Sequence, residues 1–267
     1  MSLGSAPTAM RALQCGMHVS TQEVCVMQRA LIVALLAGAA GAANADVVAY
    51  WAFPSVVPPI GANYVISWPI AADLKANTGP ATLDTDALKY DGTPAPNAVA
   101  QGAMQLQTGD LANAESGFVA GSGLGMRNLN ISGGAQNLTE GKSIFLTFDA
   151  TNFQNMALSF ADRYTSTGPT ATTIAVSADG VNYTNVTSLT NNRNASWNAQ
   201  AISLASFTSL NNDNQVFVRI TLSNFNSGSN GAARFDNIKI TGDVVPTPGA
   251  LALTGIAGLM VARRRRK

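Results

Sequence analysis

QVFVRITLS, Gln215 to Ser223, alternates without a break: Val216, Val218, Ile220 and Leu222 fall on one side of an extended chain, and Phe217, Arg219 and Thr221 on the other. Successive side chains of a strand point to opposite faces, whereas a helix would need apolar residues at three- and four-residue intervals. The spacing therefore predicts a strand with one face in a core and one outside it. β-Branched and aromatic residues fill most of it, as suits a pleated surface.

Working outward, the same alternation recurs in SIFLTFDA (Ser143–Ala150), MALSFADRYT (Met156–Thr165), TTIAVSA (Thr172–Ala178) and ARFDNIKITG (Ala233–Gly242). Asp179-Gly180 separates TTIAVSA from VNYTNV and marks a hairpin turn, because glycine takes positive φ at no steric cost. Val47, Ala49 and Trp51 read as a first strand that Pro54 ends. Residues 74–134, rich in Ala, Gly, Asn and Thr, read as loops with short strands. No stretch between 46 and 243 carries a long helical period, and the strands recur every 8 to 15 residues between Asn, Ser and Gly clusters. The expected fold is all-β: an antiparallel, jelly-roll-like β-sandwich over residues 46–243, flanked by a signal-peptide helix and a short apolar C-terminal helix.

The 267 residues divide by composition into segments of different character. Residues 46–243 hold nine Lys and Arg against fourteen Asp and Glu, a net of −5, which gives no reason to expect nucleic-acid binding. Cys15, Cys25 and His18 all precede this body. A body without Cys or His excludes the usual zinc sites, a Cys nucleophile, a Ser-His-Asp triad and a haem ligated by either residue.

Residues 27–45, MQRALIVALLAGAAGAANA, place Arg29 before an apolar run and end in Ala43-Asn44-Ala45. That order is a secretory signal peptide. Signal peptidase requires small residues one and three positions before its cut, so Ala43 and Ala45 predict a mature chain beginning at Asp46. The alternative, an N-terminal membrane anchor, would have to span with an apolar helix only about 20 Å long. Residues 1–26 lack periodicity and read as an extension from a start codon placed too early.

At the other end, residues 244–267 join Pro246-Thr247-Pro248 to thirteen apolar or small residues, Ala250 to Ala262, and then to Arg263, Arg264, Arg265, Arg266 and Lys267. Such a run makes about 20 Å of helix against a hydrocarbon core of about 30 Å, too short for a comfortable span. The basic cluster can snorkel and, by the positive-inside rule, stays in the cytoplasm, so insertion is expected to be transient. These three parts in order, on a chain with a signal peptide, resemble the PEP-CTERM sorting signal of exported bacterial proteins, with Thr247 where the family name records Glu. The resemblance implies recognition by an exosortase-like membrane protease, cleavage near the motif and delivery to the cell surface or extracellular matrix. A plain tail anchor is the competing reading.

GSGLGMRN (Gly121–Asn128) lacks the full spacing of a dinucleotide fingerprint and reads as loop glycines. Asp84, Asp86 and Asp91 cluster hard oxygen ligands without the spacing of an EF-hand; a solvated turn is the plainer reading and a structural calcium ion the other. Glu115 and Glu140, the only glutamates of the body, stand in loop-like contexts, and no catalytic residue is assigned. Tyr164, Tyr183 and Trp197 are core aromatics or a stacking face for sugar rings. Asn130, Asn182, Asn185 and Asn194 match N-x-[ST], as a segment this rich in Asn, Ser and Thr does by chance. AVSADGVNYTNV and ARFDNIKITG are similar to secreted bacterial jelly-roll domains of the carbohydrate-binding type, in which a calcium ion is common. The expectation is a non-catalytic structural or adhesive surface protein; a module binding extracellular polysaccharide is the alternative, and a surface glycoside hydrolase a further one.

Overall fold

The computed structural model describes residues 45–53, 66–87, 89, 103–128, 139–226 and 231–245. Thirteen strands account for most of them: β1 (Asp46–Trp51), β2 (Ile70–Ala71), β3 (Leu74–Lys75), β4 (Ala81–Thr85), β5 (Met104–Thr108), β6 (Ser122–Arg127), β7 (Ser143–Phe148), β8 (Phe153–Tyr164), β9 (Ala171–Ser177), β10 (Thr184–Thr190), β11 (Asn198–Ser203), β12 (Val216–Ser223) and β13 (Ala232–Val244). A single 3-10 turn, Thr208–Leu210, is the only helical piece among the described residues.

The strands form two sheets. One has six strands in the order β10-β9-β12-β7-β4-β2; the other has seven, running β11-β8-β13-β1-β3, with β6 also paired to β13 and β5 to β6. Among the described residues the strands pair antiparallel throughout, as expected where strands have one covered and one outer face. From β7 onward the chain changes sheet at almost every step, returning to the same sheet only across the β9–β10 hairpin. With β1 this gives β11-β8-β13-β1 over β10-β9-β12-β7, the eight-strand arrangement of a jelly roll.

β12 shows why. Val216, Val218, Ile220 and Leu222 are buried while Phe217, Arg219, Thr221 and Ser223 are partly exposed, so the alternation read from QVFVRITLS is the alternation of burial. The inward rows of both sheets meet in one core, with Ile144, Leu146 and Phe148 of β7 and Val218 and Ile220 of β12 from one side, and Trp51, Leu124, Leu158, Phe160, Phe235 and Ile240 from the other. Phe160, Tyr164 and Phe235 contact edge to face. At roughly 2 kcal/mol for each large side chain fully buried, this core supplies the main opposition to chain entropy.

One expectation changes: GSGLGMRN is mostly strand β6, not loop. β10 follows the Asp179-Gly180 turn as the hairpin expects, whereas β11, with most of its residues exposed or half-exposed, carries no alternation that marks it as a strand. The signal-peptide helix, Ala43, Pro246, Thr247, Pro248, the apolar C-terminal helix and Arg263 to Lys267 lie outside the described residues. Ala45 and Asp46 are described: Asp46 opens β1, so a cut after Ala45 would leave that strand whole. No helix among the described residues is long and apolar enough to cross a membrane.

Candidate functional site

The outer face of the six-stranded sheet carries aromatic rings and cations on a floor of small polar residues. Its register aligns Asn185 of β10, Ala175 of β9, Arg219 of β12, Phe145 of β7 and Asp84 of β4 in one row. The next row holds Ser177, Phe217, Thr147 and Thr82. Neighbouring strands are about 4.8 Å apart, so the first row spans about 19 Å.

Arg219 sits at its centre. Its guanidinium carbon lies 4.3 Å from the centroid of the Tyr183 ring, close enough for a cation–π contact. Tyr183 in turn meets Phe145 edge to face at 6.5 Å. The Arg219 Nε is buried and has no hydrogen-bond partner, and the pairing leaves the donors of the fork free for a ligand. Burial pushes the Tyr183 hydroxyl above the ordinary phenol range, which Arg219 partly offsets. Toward the β4 edge, Lys89 pairs with Asp84 and stands 5.2 Å above the Trp68 ring, whose indole nitrogen is also without a partner.

The β9–β10 turn closes one end of this face. Asp179 accepts hydrogen bonds from the backbone of Val181 and Asn182, from the Asn182 amide and from the Ser177 hydroxyl, which hold its carboxyl far below the usual range. Gly180 takes φ of 73°, and a Cβ there would come within 3.0 Å of Phe217 Cζ. Beside the turn lies a cavity of about 250 Å³ lined in part by Ser177, Asp179, Asn182, Phe207 and Ser209.

Of the three aromatics expected to be core or platform, only Tyr183 joins this face. Tyr164 is core, its hydroxyl bonded to Asp162 and Thr172. Trp197 lies on the opposite sheet, with its ring tip over Gly123. Asp84 is taken by Lys89 and the Thr85 amide, Asp86 accepts the Ser143 amide, and Asp91 lies outside the described residues. No group of three or more His, Cys, Asp or Glu among the described residues is placed to hold a metal ion. Glu115 pairs with Lys239, whereas Glu140 accepts the amides of Asn224 and Phe225, so the two glutamates serve different partners. Phe145, Phe217, Arg219 and Trp68 were not singled out by sequence; the outward row of QVFVRITLS was the signal that held two of them.

The outer face of the seven-stranded sheet is partly roofed by residues 109–118. A register shift in β13 between Asp236 and Lys239 turns Asn237 to φ of 50°, where asparagine is tolerated. Asn237 then accepts from the Tyr50 hydroxyl at 2.6 Å and donates to the carbonyls of Asp110 and Ala112. Asp236 accepts the amides of Asp110 and Asn237, and burial, outweighing these bonds, lifts its carboxyl to about 7. Phe118 closes edge-on over Tyr50 at 4.9 Å.

No protein-family model and no curated protein matches the chain. Similar solved structures include TmCBM61 in complex with beta-1,4-galactotriose, with 8% identity over 60% of this chain and 88% of that one and a TM-score of 0.36. The K1 cleaved adhesin domain of Lys-gingipain from Porphyromonas gingivalis W83 shares 11% identity over 61% and 99%, with a TM-score of 0.36. The xylan-binding module CBM15 shares 10% over 52% and 97%, with a TM-score of 0.34. At these scores the likenesses carry no argument about the residues above.

Proposed function

We propose that this is an exported, non-catalytic surface or matrix protein that binds extracellular polysaccharide through the outer face of its six-stranded sheet. The observation behind the reading is Arg219 held on Tyr183, with Phe145 and Phe217 beside it in adjoining rows. Aromatic rings offer apolar surface to the C–H face of a sugar, and the guanidinium, with nearby Thr and Asn side chains, offers hydrogen bonds to its hydroxyls. Mixed surfaces of this kind orient a ligand through few polar groups on an apolar bed. A glycan array probed with the protein tests this: binding should fall at least tenfold in Tyr183→Ala and Arg219→Ala with unfolding midpoints little changed. Absence of binding to every polysaccharide rejects the reading and leaves the structural or adhesive role.

Export and sorting belong to the same proposal and rest on the sequence: cleavage after Ala45 by signal peptidase, transient insertion of the apolar tail, and processing near Pro246-Thr247-Pro248 by an exosortase-like protease. Intact mass measurement of material released from cells should then show no residues from Leu251 to Lys267. Recovery of that tail in mature protein would favour a plain anchor.

A further inference from the structure

The other outer face holds a second feature, independent of the aromatic one. In the seven-stranded sheet the register sets Gln105 of β5 against Gly125 of β6, Gly125 against Arg234 of β13, and Arg234 against Arg163 of β8. Arg127 of β6, opposite Ala232, adds a third guanidinium on the same side. A parallel row begins with Gln107 against Gly123.

Both glycines leave room on the floor of this face. A Cβ at 123 would stand 3.2 Å from Trp197 Cη2, and one at 125 would stand 2.8 Å from Gln107 Cγ, so the tip of the indole and the Gln107 side chain occupy the space that side chains would need.

The charge on this face is unbalanced. The ion pairs among the described residues are Lys89–Asp84 and Lys239–Glu115, so Arg127, Arg163 and Arg234 have no acidic partner there. The nearest acid in the rows, Asp236, spends both oxygens on backbone amides under the 109–118 roof. Arg234 Nε is buried and unpartnered, and Arg163 beside it disfavours its charge further. Like charges directly across a strand pair destabilise a sheet. Three of the nine cations of a body with net charge −5 thus share one patch with no acidic partner among the described residues.

We propose that the Arg163–Arg234–Arg127 patch binds the carboxylates of an acidic, uronate-bearing polysaccharide. Planar guanidinium forks match carboxylates in bidentate geometry. The Trp197 ring supplies an apolar bed for a sugar ring, and the Gln105 and Gln107 amides supply hydroxyl partners, features that an acidic peptide would leave unused. With two binding faces on opposite sheets, one molecule bridges two polysaccharide chains.

The test is isothermal titration of the full chain with polygalacturonate, its methyl ester, dextran sulfate and poly-glutamate. Polygalacturonate should bind, the ester at least tenfold more weakly, and Arg163→Ala/Arg234→Ala should cost at least tenfold, with Arg163→Ala alone as a variant less exposed to folding defects. Arg163→Lys/Arg234→Lys should recover only part, because it restores charge without the fork. Tyr183→Ala should leave this binding intact, which separates it from the neutral-polysaccharide face. Equal binding of the ester, of poly-glutamate or of the arginine variants, or preference for dextran sulfate, would overturn the assignment.

Discussion

The two outer faces of the sandwich solve the same problem differently. The seven-stranded sheet roofs part of itself: Tyr50, Asp236 and Asn237 point away from the core yet are buried, because residues 109–118 fold over them and are tied down by hydrogen bonds. The six-stranded sheet instead presents half-buried Phe145, Phe217, Tyr183 and Arg219, with Arg219 and Phe145 against the Tyr183 ring and Phe217 beside Gly180. A buried polar network is stabilising only when every member is satisfied, so the roofed face is committed to one arrangement. The open face keeps donors unspent, and ligand recognition draws on that kind of reserve.

The largest expected effect probes the roof through pH. The Asp236 carboxyl is raised from 3.8 to about 7. Between these values the folded chain keeps a proton that the unfolded chain has lost, so its contribution is fully present below about pH 4 and declines as pH rises through 7, by about 4 kcal/mol in total. Urea midpoints compared with those of Asp236→Asn should diverge across that window; parallel curves would mean the carboxyl is not shielded.

Next, Asn237→Ala removes the acceptor of the Tyr50 hydroxyl, two donors and a residue suited to φ of 50°. It should cost about 3 kcal/mol, measured by urea unfolding, and Asn237→Gly should recover about 1 kcal/mol of it. A harmless Asn237→Ala would erase the contrast between the faces. On the open face, Tyr183→Ala should lower stability by only about 1 kcal/mol, because it loses one partly exposed cation–π contact and one edge contact. Smallest of all, Thr173→Ala breaks an exposed hydroxyl contact with Ser188 and should shift stability by less than about 0.5 kcal/mol.

Where one face of a strand is buried, the sequence announces it: Val216 to Leu222 and Ile144 to Phe148 could hardly be anything else. Asp179-Gly180 likewise marked its hairpin, because φ of 73° calls for glycine. β10 was read from that turn alone, and β11 was not read, because edge strands with most of their residues exposed or half-exposed write no period. β6 misled because glycine usually marks loops, whereas Gly123 and Gly125 are there to admit Trp197 and Gln107. The candidate site was half visible. Arg219 and Phe217 sat in the outward row of the clearest strand, but that Tyr183 lies beneath Arg219 depends on the β9–β12 register and the reach of the β9–β10 turn, neither of which has a local signature.

β13 runs thirteen residues between β8 and β1 and ends at Val244. A pull exerted from residue 245 would drag this strand along its own length, loading the hydrogen bonds of both flanking ladders together instead of peeling them one after another. A tether leaving from that point would thus load the domain in shear along its longest strand among the described residues.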